Sequence, residues 1–408
     1  MAETNPENSL DELKVSAQRF LNQLCVELYK RTTQPVKNRS PQIGILTVIH
    51  DPEQVQQVLH DHETYLKNFG LVAALGKSRF NTNGADWTSL RARTQPFYSK
   101  FGRSGSRQAV EDIYTEEIGK IDVDNIQSLE TALARGALRV FFLAFGLTPN
   151  VTPFLEVFKS LREMAALLQY ASWTPGDWIK FLNPIAISLN HRFFEICENQ
   201  PEIAEFVLSQ SSSDDPIEQA DAVTDFMTNM FAGIETSTAA MMWSIIHIGK
   251  HEEAQNRLHQ EVTGGSNSYP YLTCFVHETL RSFPPIPFVV REVAQDTQLG
   301  PHDLKAGSQI MLSVVETHRS PDAWSDPQVF HASRPEFMSD ATPDAFIPFL
   351  TGPRVCGGRK LAELELIVAL KIFVETYRVT NNDKVTPFDY SLALRPRLSD
   401  GLVLERRS

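Results

Sequence analysis

A lone cysteine between glycines, an acid–alcohol pair inside an apolar run, and a tryptophan one helical turn ahead of an arginine are the residues of this chain best equipped for chemistry. The cysteine stands in Phe349-Leu350-Thr351-Gly352-Pro353-Arg354-Val355-Cys356-Gly357-Gly358, with no second thiol or histidine nearby. Directly afterwards the spacing predicts a helix from Arg359 to Tyr377, with apolar positions between Leu361 and Phe373. A thiol at a helix start meets unpaired amides and the positive end of the helix dipole, and both favour the thiolate. Held by a glycine-rich loop, such a thiolate suits axial ligation of a large flat metal cofactor. The alternative is a buried structural thiol.

The acid–alcohol pair lies in Phe231-Ala232-Gly233-Ile234-Glu235-Thr236-Ser237-Thr238. The long helix that carries it is expected to start with Asp215 as N-cap, Pro216 at N1 and Glu218 closing a capping box. It should run to about His247, roughly 45 Å at 1.5 Å per residue. Gly233 costs such a helix about 1 kcal/mol relative to alanine, and Glu235 places a carboxylate in an apolar span, which is expensive without a partner. Conflicts of this kind mark functional sites; a helix with one polar stripe and a packing glycine is the other reading. Trp87 and Arg91 stand at i and i+4 on one helix face. Together they offer an indole N–H and a guanidinium to a carboxylate, or they are an apolar anchor and a solvated charge.

The elements that must position these residues follow from periodicity. An amphipathic helix is expected over Ser9 to Lys30, a β-type run over Ile43 to Ile49, a helix over Pro52 to His60, and several helices between Glu111 and Ser212, rich in core aromatics. A helix from Tyr271 to Phe283 carries Glu278 and Arg281 at i and i+3 and stops at Pro284-Pro285-Ile286-Pro287. The tail from Asp389 to Arg406 alternates, with a hairpin signal at Ser399-Asp400-Gly401.

Composition narrows the function classes. With 38 basic against 50 acidic residues and a net charge of −12, a general nucleic-acid surface is excluded. Cys25, Cys197, Cys274 and Cys356 are scattered, without metal-type spacing or a disulfide framework, which suggests a reducing compartment. There is no apolar run of about eighteen residues, so no membrane span is expected. The start Met1-Ala2-Glu3-Thr4 lacks the regions of a signal peptide. The expected location is cytoplasmic, and residues 1–408 are expected to form one domain.

The spacing F-x-x-G-x-R-x-C-x-G resembles the haem-ligand loop of the cytochrome P450 family, matching at Phe349, Gly352, Arg354, Cys356 and Gly358. Leu350 stands where the family usually has a small residue and Gly357 where it has an aliphatic one. Both bear on the loop's shape and on the hydrogen bonds to sulfur. Ala232, Gly233, Glu235 and Thr236 match the oxygen-activation motif A-G-x-E-T, and Gly84, Trp87 and Arg91 match G-x-x-W-x-x-x-R. Glu278 and Arg281 match E-x-x-R, with Arg334 as third partner and Ala332 where a proline is usual. Arg291 matches a position that often binds a haem propionate. The likeness runs from about Ile49 to Arg406, with the motifs in the family's order.

That resemblance implies a mainly α fold with a small β-rich part, and haem b between the long helix and the Cys356 loop. Cys356 would be the iron ligand, and Trp87, Arg91, Arg291 and Arg354 would clamp the propionates. Gly233 would admit the flat cofactor, Thr236 would hold water beside dioxygen, and Glu235 would feed protons. The implied activity is monooxygenation: one oxygen atom from O₂ enters an apolar C–H or C=C group of a lipophilic natural product or lipid. Electrons would come from NAD(P)H through a separate ferredoxin or flavodoxin-type partner. Arg91, Arg93, Lys100, Arg103, Arg107, Arg354, Arg359 and Lys360 would steer that partner. A peroxide-using or O₂-independent haem-thiolate enzyme and a haem-binding sensor are the alternatives. The pocket would be lined by residues Leu71 to Leu75, a lid within Phe154 to Ile187 that turns at Pro175-Gly176-Asp177, Phe231, Ile234 and Phe288-Val289-Val290. These favour a neutral substrate, unless Lys77 or Arg79 turns inward to hold a fatty acid.

Overall fold

The computed structural model describes residues 6–33, 42–43, 46–67, 75–101, 106–173, 178–211, 213–338, 342–382 and 386–407. Helices dominate: α1 (Pro6–Arg31), α2 (Pro52–His60), α3 (Gly84–Phe101), α4 (Arg107–Gly119), α5 (Gln127–Ala144), α6 (Thr152–Trp173), α7 (Trp178–Glu198) and α8 (Pro201–Ser209). They continue with α9 (Pro216–Lys250), α10 (Glu252–Thr263), α11 (Pro270–Ser282), two short helices α12 (Val314–Thr317) and α13 (Pro335–Met338), and α14 (Arg359–Thr376). Among the described residues, no helix is long and apolar enough to cross a membrane.

The long helix α9 is the axis of the molecule. It is buried over most of its length between Ala222 and Ile248, and it packs against α5, α14 and α11. Asp215 caps it by accepting from the Ile217 amide at 2.9 Å, and Pro216 occupies N1. The expected capping box does not form. Glu218 accepts instead from the Ser213 hydroxyl at 3.1 Å, and that hydroxyl takes the Asp215 amide at 3.2 Å. A nearby serine outcompeted the reach back along the helix.

A five-stranded sheet flanks this core in the order β1 (Gln42–Ile43), β2 (Leu46–Ile49), β7 (Gln309–Ser313), β4 (Phe288–Val293), β3 (Tyr65–Leu66). Only the β2–β7 pair is parallel. A small pair, β5 (Thr297–Leu299) and β6 (His302–Leu304), lies beside it in sequence. In the tail, β8 (Tyr377–Asn381) pairs with β11 (Leu402–Arg406), and β9 (Phe388–Tyr390) with β10 (Leu394–Pro396). The turn at 399–401 therefore does not close a hairpin: β10 and β11, on either side of it, each pair with an earlier strand. The chain is mainly α with a small β-rich part, as the motifs implied.

Candidate active site

The cysteine loop is held by a few close fits. The Cys356 amide donates to the Phe349 carbonyl at 2.9 Å, and the Val355 amide to Gly352 O at 3.1 Å. Gly352 has φ +70°, and a Cβ there would lie 2.4 Å from the Leu59 carbonyl at the end of α2, so only glycine fits. Leu350 adopts φ 58°, a left-handed conformation that is costly for a branched side chain. A Cβ on Gly357 would come within 2.6 Å of both Arg79 Nη2 and Gln95 Oε1, while Gln95 Nε2 donates to Gly357 O at 3.1 Å. In this chain, the place of the family's aliphatic side chain is taken by Arg79 and Gln95.

The Cys356 thiol opens onto an internal cavity of about 410 Å³, between the cysteine loop and α9. That is within the usual range of small-molecule sites. Although the thiol is exposed to this cavity, the surrounding protein desolvates it and pushes its pKa up, against the pull of the Gly358 amide, Arg79, Lys67 and Arg359. The expected helix-start effect is present, but burial outweighs it. A metal cation supplies what such a thiol lacks.

The cavity wall is cationic. Lys67, Arg79, Arg91, Arg291 and Arg354 line it. Arg354 and Arg91 lie over the Trp87 ring, at 4.4 and 5.5 Å from its centroid. Arg354 Nη2 donates to Thr82 O and Asn83 Oδ1, but Nη1 is buried without a hydrogen-bond partner among the described residues. Burial, then Arg91 and Arg79, lowers the Arg354 pKa to about 10; burial and Arg354 do the same to Arg291. Among the described residues, Arg291 Nη1 donates to the neighbouring Val290 carbonyl alone, at 2.8 Å. Burial, reinforced by Arg291, Arg354 and Arg79, pushes the Lys67 amine well below its ordinary range.

Among the described residues, Glu365 is the sole carboxylate lining this cavity. It does not neutralise the wall: burial raises its pKa to about 7, with the Tyr114 hydroxyl donating to it at 2.7 Å. Asp225 lies beside Arg79, but Arg291 and Arg354 meet no carboxylate among the described residues, and buried cations without counter-charges are expensive, so this wall calls for a ligand that brings carboxylates. Haem b fits both needs, with two propionates for the guanidinium groups and an iron for the thiol. Gly233 and Gly358 border the same space; a Cβ would meet only Phe141 at 3.7 Å at the first and nothing within 4 Å at the second. The protein's own atoms require neither glycine, and the room both leave belongs to the cavity.

On α9, Thr236 lines the cavity with its hydroxyl donating to Ala232 O at 2.8 Å. Glu235 turns away. Its Oε2 accepts from Arg395 Nη1 at 2.7 Å and lies 3.3 Å from Arg162 Nε, and Arg395 also binds Glu130. The structure thus brings Gly233 and Thr236 to the cavity but not Glu235, whose Oε1 accepts no hydrogen bond among the described residues. The helical period sets this outcome, because adjacent residues on α9 face about 100° apart. Ile234 likewise packs into the core rather than the cavity.

Glu278, Arg281 and Arg334 form a closed triad. Both carboxylate oxygens accept from both arginines at 2.7–3.1 Å, and the His331 amide adds a 2.8 Å bond. Ala332 did not disturb that geometry. The triad is tied to the cysteine loop through His318, which sequence reasoning missed. His318 Nε2 accepts from the Ile347 amide at 2.9 Å, and Nδ1 contacts Arg281 O at 3.2 Å. Burial, aided by Arg281, lowers its pKa to about 3, so the ring is neutral. Lys67 and Arg79 were also missed as parts of the cationic wall; neither belongs to a motif.

Of the expected pocket residues, Leu75, Phe231, Phe288, Val289 and Val290 line the cavity, joined by Gln169 and Tyr390. Residues 71–74, the turn at 175–177 and Arg103 lie outside the described residues, as do the side chains of Trp173 and Trp178. Lys77 faces solvent, 3.2 Å from Asp86.

Comparison with known proteins decides the family. A family model described as Cytochrome P450 matches residues 188–400, just over half the chain. The chain belongs to the cytochrome P450 family. Cytochrome P450 4c21 of Blattella germanica is 32% identical over 218 residues, covering 50% of this chain and 44% of that relative. Cytochrome P450 4X1 of Rattus norvegicus is 34% identical over 209 residues, 47% of this chain and 41% of its own length. The matched segment thus spans less than half the length of these curated relatives. A solved structure of a mutant of P450 EryK in complex with erythromycin B covers 93% of this chain and 95% of its own, with a TM-score of 0.70 and 17% identity. That likeness shows the P450 fold.

Proposed function

We propose that this P450 is a haem-thiolate monooxygenase that inserts one oxygen atom from O₂ into a neutral lipophilic molecule, at a C–H or C=C group. The observation that carries this reading is a lone thiol facing a cavity lined by Lys67, Arg79, Arg91, Arg291 and Arg354, where among the described residues the one lining carboxylate, Glu365, forms no ion pair. Bound haem b would supply the redox-active iron at which O₂ is reduced. Cys356 would present its sulfur to that iron, and Trp87, Arg91, Arg291 and Arg354 would hold the propionates. Phe349, Gly352 and Gly358 would shape the loop. Thr236 would position a water with its hydroxyl oxygen. Glu235 faces away from the cavity with one oxygen held by Arg395; on turning toward the cavity, it would relay protons from the half-buried Arg162–Glu130 end of its network.

A separate ferredoxin or flavodoxin-type partner would deliver electrons from NAD(P)H, steered by Arg93, Lys100, Arg107, Arg359 and Lys360. The buried thiols of Cys25, Cys197 and Cys274 support work in the reducing cytoplasm. The predominantly apolar lining supports a neutral substrate: Lys77 turns out to Asp86, and Arg79, which does line the cavity, is engaged by Thr94 and packed beside Gly357. The test is the ferrous–CO spectrum of the haem-loaded protein. A band red-shifted as thiolate ligation requires, and lost in Cys356→Ser, is expected; an unshifted band from intact protein would reject the reading. Product formation with a surrogate reductase and O₂ separates the monooxygenase from a sensor. Unchanged coupling in Thr236→Ala would instead favour a peroxide-using enzyme.

A further inference from the structure

The cavity has a polar spot away from the cationic wall. Tyr390 from β9 and Gln169 from α6 both line it, 2% and 8% exposed, among apolar neighbours that include Phe288 and Leu392. The Gln169 amide donates to the Tyr390 phenol oxygen at 3.4 Å, well beyond the usual optimum for a hydrogen bond. In that contact the phenol is the acceptor, and among the described residues its own proton has no acceptor. A buried donor left unused is costly in an interior but becomes an asset when a ligand completes it.

The phenol is also held firmly. Helix α1 grips the backbone of Tyr390 on both sides: its amide donates to Asn22 Oδ1 at 2.7 Å, and its carbonyl accepts from Gln18 Nε2 at 2.9 Å. Asn22 in turn donates to Asp389 at 2.9 Å, and the Tyr390 ring packs 5.2 Å from Phe288. A rigid donor facing an apolar cavity selects by hydrogen bonding rather than by bulk affinity.

We propose that Tyr390 and Gln169 form a subsite for one neutral oxygen of the substrate, a carbonyl, ether or hydroxyl, and thereby choose which carbon of its apolar skeleton faces Thr236. This rests on the monooxygenase reading above and narrows its substrate class to oxygen-bearing lipophiles. Burial raises the Tyr390 pKa, so the phenol keeps its proton at working pH. A carboxylate ligand would gain the same hydrogen bond but would have to be desolvated in an apolar pocket.

The experiment is calorimetric binding of two probes to the haem-loaded protein, β-ionone and its deoxygenated hydrocarbon, in wild type, Tyr390→Phe and Gln169→Leu. Tyr390→Phe keeps the ring and its packing, and haem content and circular dichroism check each variant's fold. The ketone should bind the wild type more tightly, and Tyr390→Phe should weaken it by roughly three- to tenfold, as loss of one neutral hydrogen bond does, with the hydrocarbon unaffected. Gln169→Leu should give a smaller loss in the same direction. Equal binding of both probes to the wild type, or equal weakening of both by Tyr390→Phe, overturns the subsite. O₂-dependent product formation is scored separately. Its absence with the ketone preference intact removes the monooxygenase reading and leaves the subsite standing; turnover without the preference does the reverse.

Discussion

Two groups of buried arginine in this P450 are made from the same side chain and end in opposite electrostatic states. Around Glu278, two guanidinium groups share one carboxylate, and Arg281 and Arg334 spend further N–H groups on the carbonyls of His318, Pro327, Val329 and Ser325. At the cavity wall, Arg291 and Arg354 face Lys67, Arg79 and Arg91, and the carboxylate that lines the cavity, Glu365, has its pKa raised by burial to about 7. The triad is complete without a ligand and acts as structure, fixing the cysteine loop through His318. The wall is incomplete without one and acts as a site. What separates binding charge from structural charge is therefore the inventory of partners, not burial.

Removing a partner should hurt most where the inventory is full. Glu278→Gln leaves the Arg281 guanidinium without a carboxylate and Arg334 with Glu336 alone, at 3.8 Å, and should cost about 3–5 kcal/mol of stability, read as a large fall in the urea midpoint. A loss under about 1 kcal/mol would mean that the triad is no more closed than the wall.

Glu365 tests whether the wall really lacks an anion. Its folded pKa of about 7 lies above the ordinary 4.5, so the native state binds the proton more tightly than the unfolded chain. The stability it contributes is full below pH 4.5 and is lost as pH rises through about 7, by about 3 kcal/mol in all. Glu365→Gln should remove that slope from a denaturation series between those pH values. A wild-type slope of the opposite sign would show Glu365 ionised and paired to the wall.

At the wall itself, deletion should change sign. Arg291→Leu or Arg354→Leu relieves repulsion among neighbouring cations, so the haem-free protein should gain about 1 kcal/mol, as replacing buried charge by apolar groups often does. The same variants should hold haem less tightly, by roughly tenfold for one lost charge-assisted contact. Haem transfer to apomyoglobin measures the second effect and thermal melting of the haem-free protein the first. Loss of stability without loss of haem would place these arginines with the triad. The smallest effect belongs to Lys77, whose partner Asp86 is itself exposed: Lys77→Ala should leave stability and dodecanoate binding unchanged within error, and weaker acid binding would return Lys77 to the pocket.

Much of the site was legible in the sequence because its parts are contiguous. The cysteine loop, the glycine and threonine of α9, the i and i+4 pair of Trp87 and Arg91, the helix start at Pro216 and the helix stop at Pro284 depend on spacing alone, and spacing survives folding. Glu278 and Arg281 belong to this class too; Arg334 was found only through the family pattern.

What the tertiary structure decided is which charges meet. Glu235 looked like a cavity acid, yet its rotation on α9 sends it to Arg395, 160 residues away. Arg79 looked like a substrate clamp, yet it fills the space beside Gly357, and that neighbour explains the missing aliphatic side chain. Tyr390 and His318 carried no signal, since each acquires its role from a partner on another element. The turn at 399–401 was read as a hairpin because local chemistry allows one, but β8 and β9 are what their strands pair with. Short-range periodicity and turn chemistry are written residue by residue; electrostatic partnership depends on distances that exist only once the chain has closed on itself.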